Sequence, residues 1–379
     1  MLGLMVALLP LSLVWASTDD KYRKLAAVTL FLTFDLIVFG GFTRLTDSGL
    51  GCPDWPGCYG QANPFQAHAD ISAAQTALPS GPVTVAKAWI EMIHRYLAMA
   101  VGVLIISLMS LAWRRRWRDR RRLPAPAATG PASASPWLPT FLFGFVCLQG
   151  AFGAWTVTLK LQPIIVTIHL LLGMGLLGLL SWLYARQHAP QRIDAAAAAL
   201  RLPARAALLL LVLQIALGGW VSTNYATLAC TDFPLCHGEV VPAMDFAHGF
   251  ALWRKLGMTA AGDYLPFSAL TAIHWVHRNF AFVVIAAVVW AARRALRVTA
   301  ARALGAGLLA VVGLQFLTGV ATIYLQWPLA LAVAHNAGAA LLVLLLVMLN
   351  YRAGIRPDRL VARSGASPTG LLHPSTSSS

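Results

Sequence analysis

The chain alternates between long apolar runs and short stretches crowded with arginine. Eight runs are close to span length, at 25–44, 86–112, 138–158, 164–185, 204–223, 268–292, 303–323 and 328–350. An α-helix rises about 1.5 Å per residue, so ~20 apolar residues cover the hydrocarbon core of a bilayer. No water reaches the backbone there, and a helix satisfies its own polar groups within one segment. The pattern predicts an all-α membrane protein with eight transmembrane helices. A shorter apolar stretch, "MLGLMVALLPLSLVWA", precedes them; it contains Pro10 and lacks a basic start. It fits a ninth span, an interfacial helix or an upstream extension. Without a positive n-region, a cleaved signal peptide is not expected.

Composition agrees with this class. Of 379 residues, 58% are hydrophobic and 11% charged, and the mean hydropathy is +0.67, far from soluble norms. A net charge of +15 would suit nucleic acid, but its placement argues otherwise. Lys21, Arg23 and Lys24 precede the first span, and "WRRRWRDRRR" follows the second. Arg186, Arg192, Arg201 and Arg205 separate the fourth from the fifth, and Arg293, Arg294, Arg297 and Arg302 the sixth from the seventh. Arg352, Arg356, Arg359 and Arg363 follow the eighth, so 22 of 29 Lys and Arg residues share one face of an eight-span arrangement. The positive-inside rule makes that face cytoplasmic. Nucleic acid is not an expected partner; the bilayer is, in a cell inner (plasma) membrane. "LPAPAATGPASASP" reads as a flexible linker and residues 353–379 as a disordered cytoplasmic tail.

The long loops 45–85 and 224–267 then face the periplasm or the exterior. Each carries one cysteine pair, in "CPDWPGCYG" at 52–60 and "CTDFPLCHG" at 230–238. That side is oxidising, so Cys52 with Cys58 and Cys230 with Cys236 read as two within-loop disulfides. A structural staple and a redox-active pair both remain open. Zinc is disfavoured, because its sites use closer cysteine spacing with further ligands nearby. Cys147, inside the third span, is expected to be a small core residue.

The repeated loop belongs to a repeated unit. "GGFTRLTDSGLGCPDWPGCYG" at 40–60 lies over "GGWVSTNYATLACTDFPLCHG" at 218–238, an offset of 178. "IHRYLA" at 93–98 matches "VHRNFA" at 276–281 at 183, and "QGAFG" at 149–153 matches "QFLTG" at 315–319 at 166. His169 and His335 keep that last offset. The expected architecture is two pseudo-symmetric four-helix bundles from an internal duplication, related by an axis along the membrane normal. The domains are then 1–21, an N-terminal apolar extension; 22–190; 191–352; and 353–379, the tail.

Each unit places one histidine in its second span and one in its fourth: His94 and His169, then His277 and His335. All lie about two turns in from the outer helix ends. Ionisable groups within spans are costly and usually face the bundle interior for a purpose. Two imidazoles facing across a bundle make a bis-histidine haem site. Gly173 and Gly338, close after His169 and His335, would give a planar macrocycle room. A packing role for each histidine is the bland alternative, weakened by the fourfold recurrence. Zinc and copper lack a third matching ligand.

The halves differ beside the ligands. Glu91 stands three residues before His94 on one helical face, whereas His274 occupies that place before His277. Glu91 is either an acid–base group beside a reactive macrocycle or the partner of Arg95 or Arg44. Asp35, whose counterpart is Leu213, either carries protons or bonds a neighbouring helix. Arg95 and Arg278 suit haem propionates, since arginine binds carboxylates through two parallel bonds. Arg44 has Ser222 as its counterpart.

Together these residues resemble the haem A synthase family, in the branch with cysteine pairs in both large outer loops. The resemblance covers roughly residues 22–352 and is carried by "GGFTRLTDSGLGCPDWPGCYG", "EMIHR", "TIHLLLG", "HWVHR" and "AHNAGAALL" in order. It implies an oxidoreductase that converts haem O to haem A, turning a porphyrin methyl group into a formyl group for aa₃-type terminal oxidases. It also implies substrate haem at His94 and His169 with Glu91 catalytic nearby, and haem b as cofactor at His277 and His335. Implied partners are the haem O-producing farnesyltransferase and a membrane electron acceptor, with a homo-oligomer as one possible state. The N-terminal extension, the long arginine-rich loop and Asp35 depart from the family pattern without touching its motifs. Two other classes share features: a di-haem b-type electron-transfer cytochrome, which would not need Glu91, and a transporter of parallel repeats using histidine proton relays.

Overall fold

A computed structural model describes residues 2–16, 20–121, 135–187 and 195–354. Most of the expected linker and the tail beyond residue 354 lie outside the described residues, as do Arg122, Arg192, Arg356, Arg359 and Arg363.

Among the described residues all regular structure is helical. The elements are α1 Leu2–Ala16, α2 Lys21–Leu45, α3 His68–Ala77, α4 Val85–Arg121, α5 Trp137–Thr158 and α6 Pro163–Ala185. They continue with α7 Arg201–Thr223, α8 Phe246–Gly249, α9 Phe267–Leu296, α10 Arg302–Tyr324 and α11 Leu329–Gly354. Eight of them, α2, α4, α5, α6, α7, α9, α10 and α11, are long and apolar enough to cross a membrane. The shortest of these has 22 residues, or about 33 Å at 1.5 Å per residue, and the hydrocarbon core needs about 30 Å. With 15 residues around Pro10, α1 falls short of that length. It lies against α2 and α4 and buries Ala7 and Val14.

Hydropathy marks where a helix leaves the hydrocarbon, not where it ends. α4 runs on from the expected limit near residue 112 through the arginine run to Arg121. Arginine is a good helix former, and tertiary contacts hold the extension. Arg115 pairs with Asp20, whose side chain also caps α2 by accepting from the Tyr22 amide at 3.0 Å. The Trp113 indole donates to Thr140 at 3.1 Å, at the start of α5.

In one set of four, α2 packs on α4, α4 on α5, α5 on α6, and α6 closes back on α2. In the other, α7 packs on α9, α9 on α10, α10 on α11, and α11 closes on α7. The sets meet where α11 lies against α2 and α6, and where α6 lies against α7. The main apolar core fills the arginine-bearing half of the spans, with Leu104, Leu108, Leu177, Leu180, Leu211 and Leu346 among its buried members. His94 precedes Leu104 by ten residues, about 15 Å of helix. The loop-bearing half is thereby left for the histidines.

Candidate functional site

A histidine ring needs space beside its helix, and each of the four receives it from a glycine on the neighbouring span. A Cβ added at Gly40 would stand 2.9 Å from His94 Cε1, and one at Gly218 would stand 3.0 Å from His277 Cε1. The corresponding distances are 3.2 Å from Gly153 to His169 and 3.4 Å from Gly319 to His335. So α2 backs α4, α5 backs α6, α7 backs α9 and α10 backs α11, with one imidazole on one glycine each time. All four histidines are half-buried, and the Nδ1 atoms of His94 and His169 are enclosed. His94 stands near His169, and His277 near His335. Four deep imidazoles in two facing couples, with no Nε2 hydrogen bond among the described residues, fit the donor set of two bis-histidine haems.

The glycines expected to make room for a macrocycle do something else. A Cβ on Gly173 would meet the Gln149 amide nitrogen at 3.3 Å, and one on Gly338 would collide with Gln315 Oε1. These glycines accommodate glutamine side chains from α5 and α10. The pattern Gln-x₃-Gly, at Gln149–Gly153, Gln214–Gly218 and Gln315–Gly319, precedes three of the four histidines. It was visible in the sequence. Its meaning was not, because only packing shows the glycine under an imidazole.

The second glycine of each GlyGly pair answers to the opposite set of helices. Gly41 faces Asn336 on α11, whose amide donates to the Ile37 carbonyl at 3.3 Å, and Gly219 faces Leu170 and Thr167 on α6.

The two cysteine loops fold alike. Cys52 and Cys58 are bonded, as are Cys230 and Cys236, with a Cα–Cα distance of 4.9 Å in each pair. Inside the first loop Asp54 accepts from the Tyr59 and Gly60 amides at 2.6 and 2.7 Å; in the second, Asp232 accepts from those of His237 and Gly238 at 2.8 and 2.9 Å. The Gly238 amide bond is the largest influence holding the Asp232 carboxyl below its usual value. Both aspartates stand two residues after the first cysteine, a sequence signal left unread.

Glu91 lies beneath the first loop, 4% exposed. Its Oε2 accepts from the Cys52 amide at 2.8 Å and its Oε1 from Arg95 at 2.5 Å. Of the two proposed ion-pair partners it takes Arg95. Arg44 instead reaches Asp47 and Tyr225, both at 3.1 Å, and the Ser222 carbonyl at 2.7 Å, joining the two units at their cysteine-loop ends. In the second loop the Cys230 amide donates to His274 Nδ1 at 3.2 Å, so Glu91 and His274 anchor the same backbone position. Arg95 also donates to the Gly57 carbonyl at 2.5 Å, and Arg278 to the Asp232 carbonyl at 2.7 Å. These guanidiniums donate to loop carbonyls.

Residues 23–347 match the family described as COX15-CtaA, cytochrome oxidase assembly protein. The chain belongs to that family. Relatives of COX15-CtaA type include a heme A synthase from Shewanella oneidensis, 39% identical over 331 residues, covering 86% of this chain and 95% of the relative. A heme A synthase from Caulobacter vibrioides is 30% identical over 355 residues, 86% of this chain and 94% of its own. One from Bradyrhizobium is 28% identical over 374 residues, 91% and 96% respectively.

Two side chains of this COX15-CtaA member lie away from the histidines. Cys147, expected in the core, is exposed on the outer face of α5. Helical phase decides this, since Leu142 on the same helix points inward and is fully buried. Asp35 is likewise exposed on α2, and its carboxylate has no hydrogen bond among the described residues.

Proposed function

We propose that this chain is a haem A synthase of the inner membrane, oxidising a porphyrin methyl group of haem O to the formyl group of haem A. The observation that carries the proposal is the pair of facing, glycine-backed histidine couples, one of them roofed by a disulfide loop tied down through Glu91 and Arg95. In this reading the unit 22–190 takes substrate haem O between His94 and His169, and the unit 191–352 holds haem b between His277 and His335. Haem b, when bound, supplies a one-electron redox centre inside the membrane. The arginine-bearing ends face the cytoplasm and the loops the outside.

An internal duplication accounts for both units. Eight non-glycine residues with positive φ among the described residues support it. Asp47 pairs with Tyr225 and Tyr59 with His237 at the offset of 178, while Lys160 pairs with Gln326 and Leu161 with Trp327 at 166. Side chains rarely adopt that backbone region, so a fourfold match points to a common turn design. The matching cycle of helix neighbours points the same way.

Glu91 is the residue we assign to turnover. The Arg95 guanidinium and the Cys52 amide hold its carboxylate in place, one turn from His94. A carboxylate so placed is suited to accept a proton, or to stabilise positive charge developing on a substrate held at His94. The proposed partners are the haem O-producing farnesyltransferase, a membrane electron acceptor and a second copy of the chain. Co-expression with a haem O supply, followed by chromatography of the extracted haems, tests the activity. Haem A is expected. Haem b alone, with haem O unconsumed, would replace this reading by an electron-transfer cytochrome.

A further inference from the structure

A histidine that binds iron through Nε2 carries its proton on Nδ1, and the group accepting that proton fixes the ring and raises its basicity. The four histidines differ in that respect. His335 Nδ1 lies 2.9 Å from the Thr318 hydroxyl, which itself donates to the Leu314 carbonyl at 2.9 Å and so keeps a lone pair for the ring. His277 Nδ1 lies 3.2 Å from the Gln214 carboxamide. Which end of an amide faces a partner is set by the hydrogen bond it makes. Turning this one over exchanges the bond its nitrogen donates to the His277 carbonyl at 3.1 Å for one in which its unpartnered Oε1 accepts the Nδ1 proton. By contrast, His94 Nδ1 and His169 Nδ1 are buried with no hydrogen-bond partner among the described residues.

The sequence explains the difference at both places. At the offset of 178 Gln214 corresponds to Leu36, and at 166 Thr318 corresponds to Phe152. Each polar partner in the second unit is a hydrocarbon in the first. Space does not separate the two units, since glycines back all four rings.

We infer that Thr318 and Gln214 are positioning residues that make the His277–His335 site retentive, and that Leu36 and Phe152 leave His94 and His169 as weaker, exchangeable ligands. This rests on the assignment of a resident haem to the second unit and a substrate haem to the first. A substrate has to enter and its product has to leave. Ligands without a partner on Nδ1 are poorer donors, which favours both steps. One duplicated scaffold thereby provides a storage site and a turnover site through two side-chain changes.

The test uses full-length protein in detergent, with haem loss to an excess of apo-globin and reduction potential as readouts. Thr318→Val keeps the shape and removes the acceptor; Gln214→Leu copies the first unit. Loss of such a partner typically lowers metal affinity about 10–100-fold. Each variant should release the haem of the second unit at least about tenfold faster, with its potential raised because the weaker donor favours ferrous iron. Thr318→Ser, which restores a hydroxyl, should return both values towards the parent. Conversely, Phe152→Thr should slow release from the first unit and lower that haem's potential. Unchanged release and potential in both Thr318→Val and Gln214→Leu would overturn the inference while leaving the haem assignment intact. A parent protein without any bis-histidine haem spectrum would overturn the assignment, and this inference with it.

Discussion

Replacing Gly218 by alanine places one methyl group against the His277 ring, and the structure says how much that should cost. The added Cβ would lie 3.0 Å from Cε1, and 3.6 and 3.8 Å from Nδ1 and Nε2. Comfortable carbon contacts begin near 3.5 Å, so the ring must retreat by roughly half an ångström. Alanine is about 1 kcal/mol better than glycine inside a helix, whereas overpacking a filled site costs about 1–3 kcal/mol. The overpacking wins, and the retreating ring also leaves Gln214. We expect a net loss of about 1–2 kcal/mol in haem binding, or roughly 5–30-fold in affinity. Gly319→Ala is the internal control, because 3.4 Å to His335 is an ordinary contact and the helix gain offsets it. The assay is haem bound per polypeptide after extended detergent dilution, with reduced-minus-oxidised spectra. Retention by Gly218→Ala equal to the parent, or a larger loss in Gly319→Ala, would refute the reasoning that glycine is there to seat the imidazole.

Glu91→Gln keeps shape and hydrogen bonding but removes the charge facing Arg95. It should insert and bind haem while forming haem A about 10²–10³-fold more slowly; near-parental haem A by chromatography would reduce Glu91 to a loop anchor. The Asp232 carboxyl sits below its ordinary 3.8 in the folded loop, so its stabilisation is complete above that value. It is lost as the pH falls through the lower folded value. Protease cleavage of the second loop should therefore be flat from about pH 5 to 8 and rise only in stronger acid, and Asp232→Asn should abolish that acid-dependent part. In vesicles Cys147 should react with an apolar, lipid-soluble maleimide and resist a charged one; the opposite preference would show that α5 does not face lipid there.

Some of this was settled by linear pattern alone. Span number follows from hydropathy because a bilayer imposes one length scale on every helix. The common face of the arginines follows from counting spans, and the cysteine spacing already restricted each pair to its own loop. His94, His169, His277 and His335 stood out because a recurring ionisable residue in an apolar span has a cost that asks for a reason. Those features are properties of residue type and separation, which the chain carries without folding.

Tertiary structure decided whatever depends on how one helix is turned against another. Cys147 faces outward and Leu142 inward on the same apolar helix, and composition cannot distinguish them. Gly173 and Gly338 seat glutamines, while Gly40, Gly153, Gly218 and Gly319 seat the histidines, although all six are small residues in spans. Arg95 serves a loop carbonyl and Glu91 because the disulfide loop folds down onto α4. Above all, Thr318 reaches His335 Nδ1, where Phe152 offers His169 no polar side chain. A hydrogen bond holds over a few tenths of an ångström and a limited range of angles. Neither is encoded by spacing; both arise only when packed helices set the rotation of each ring.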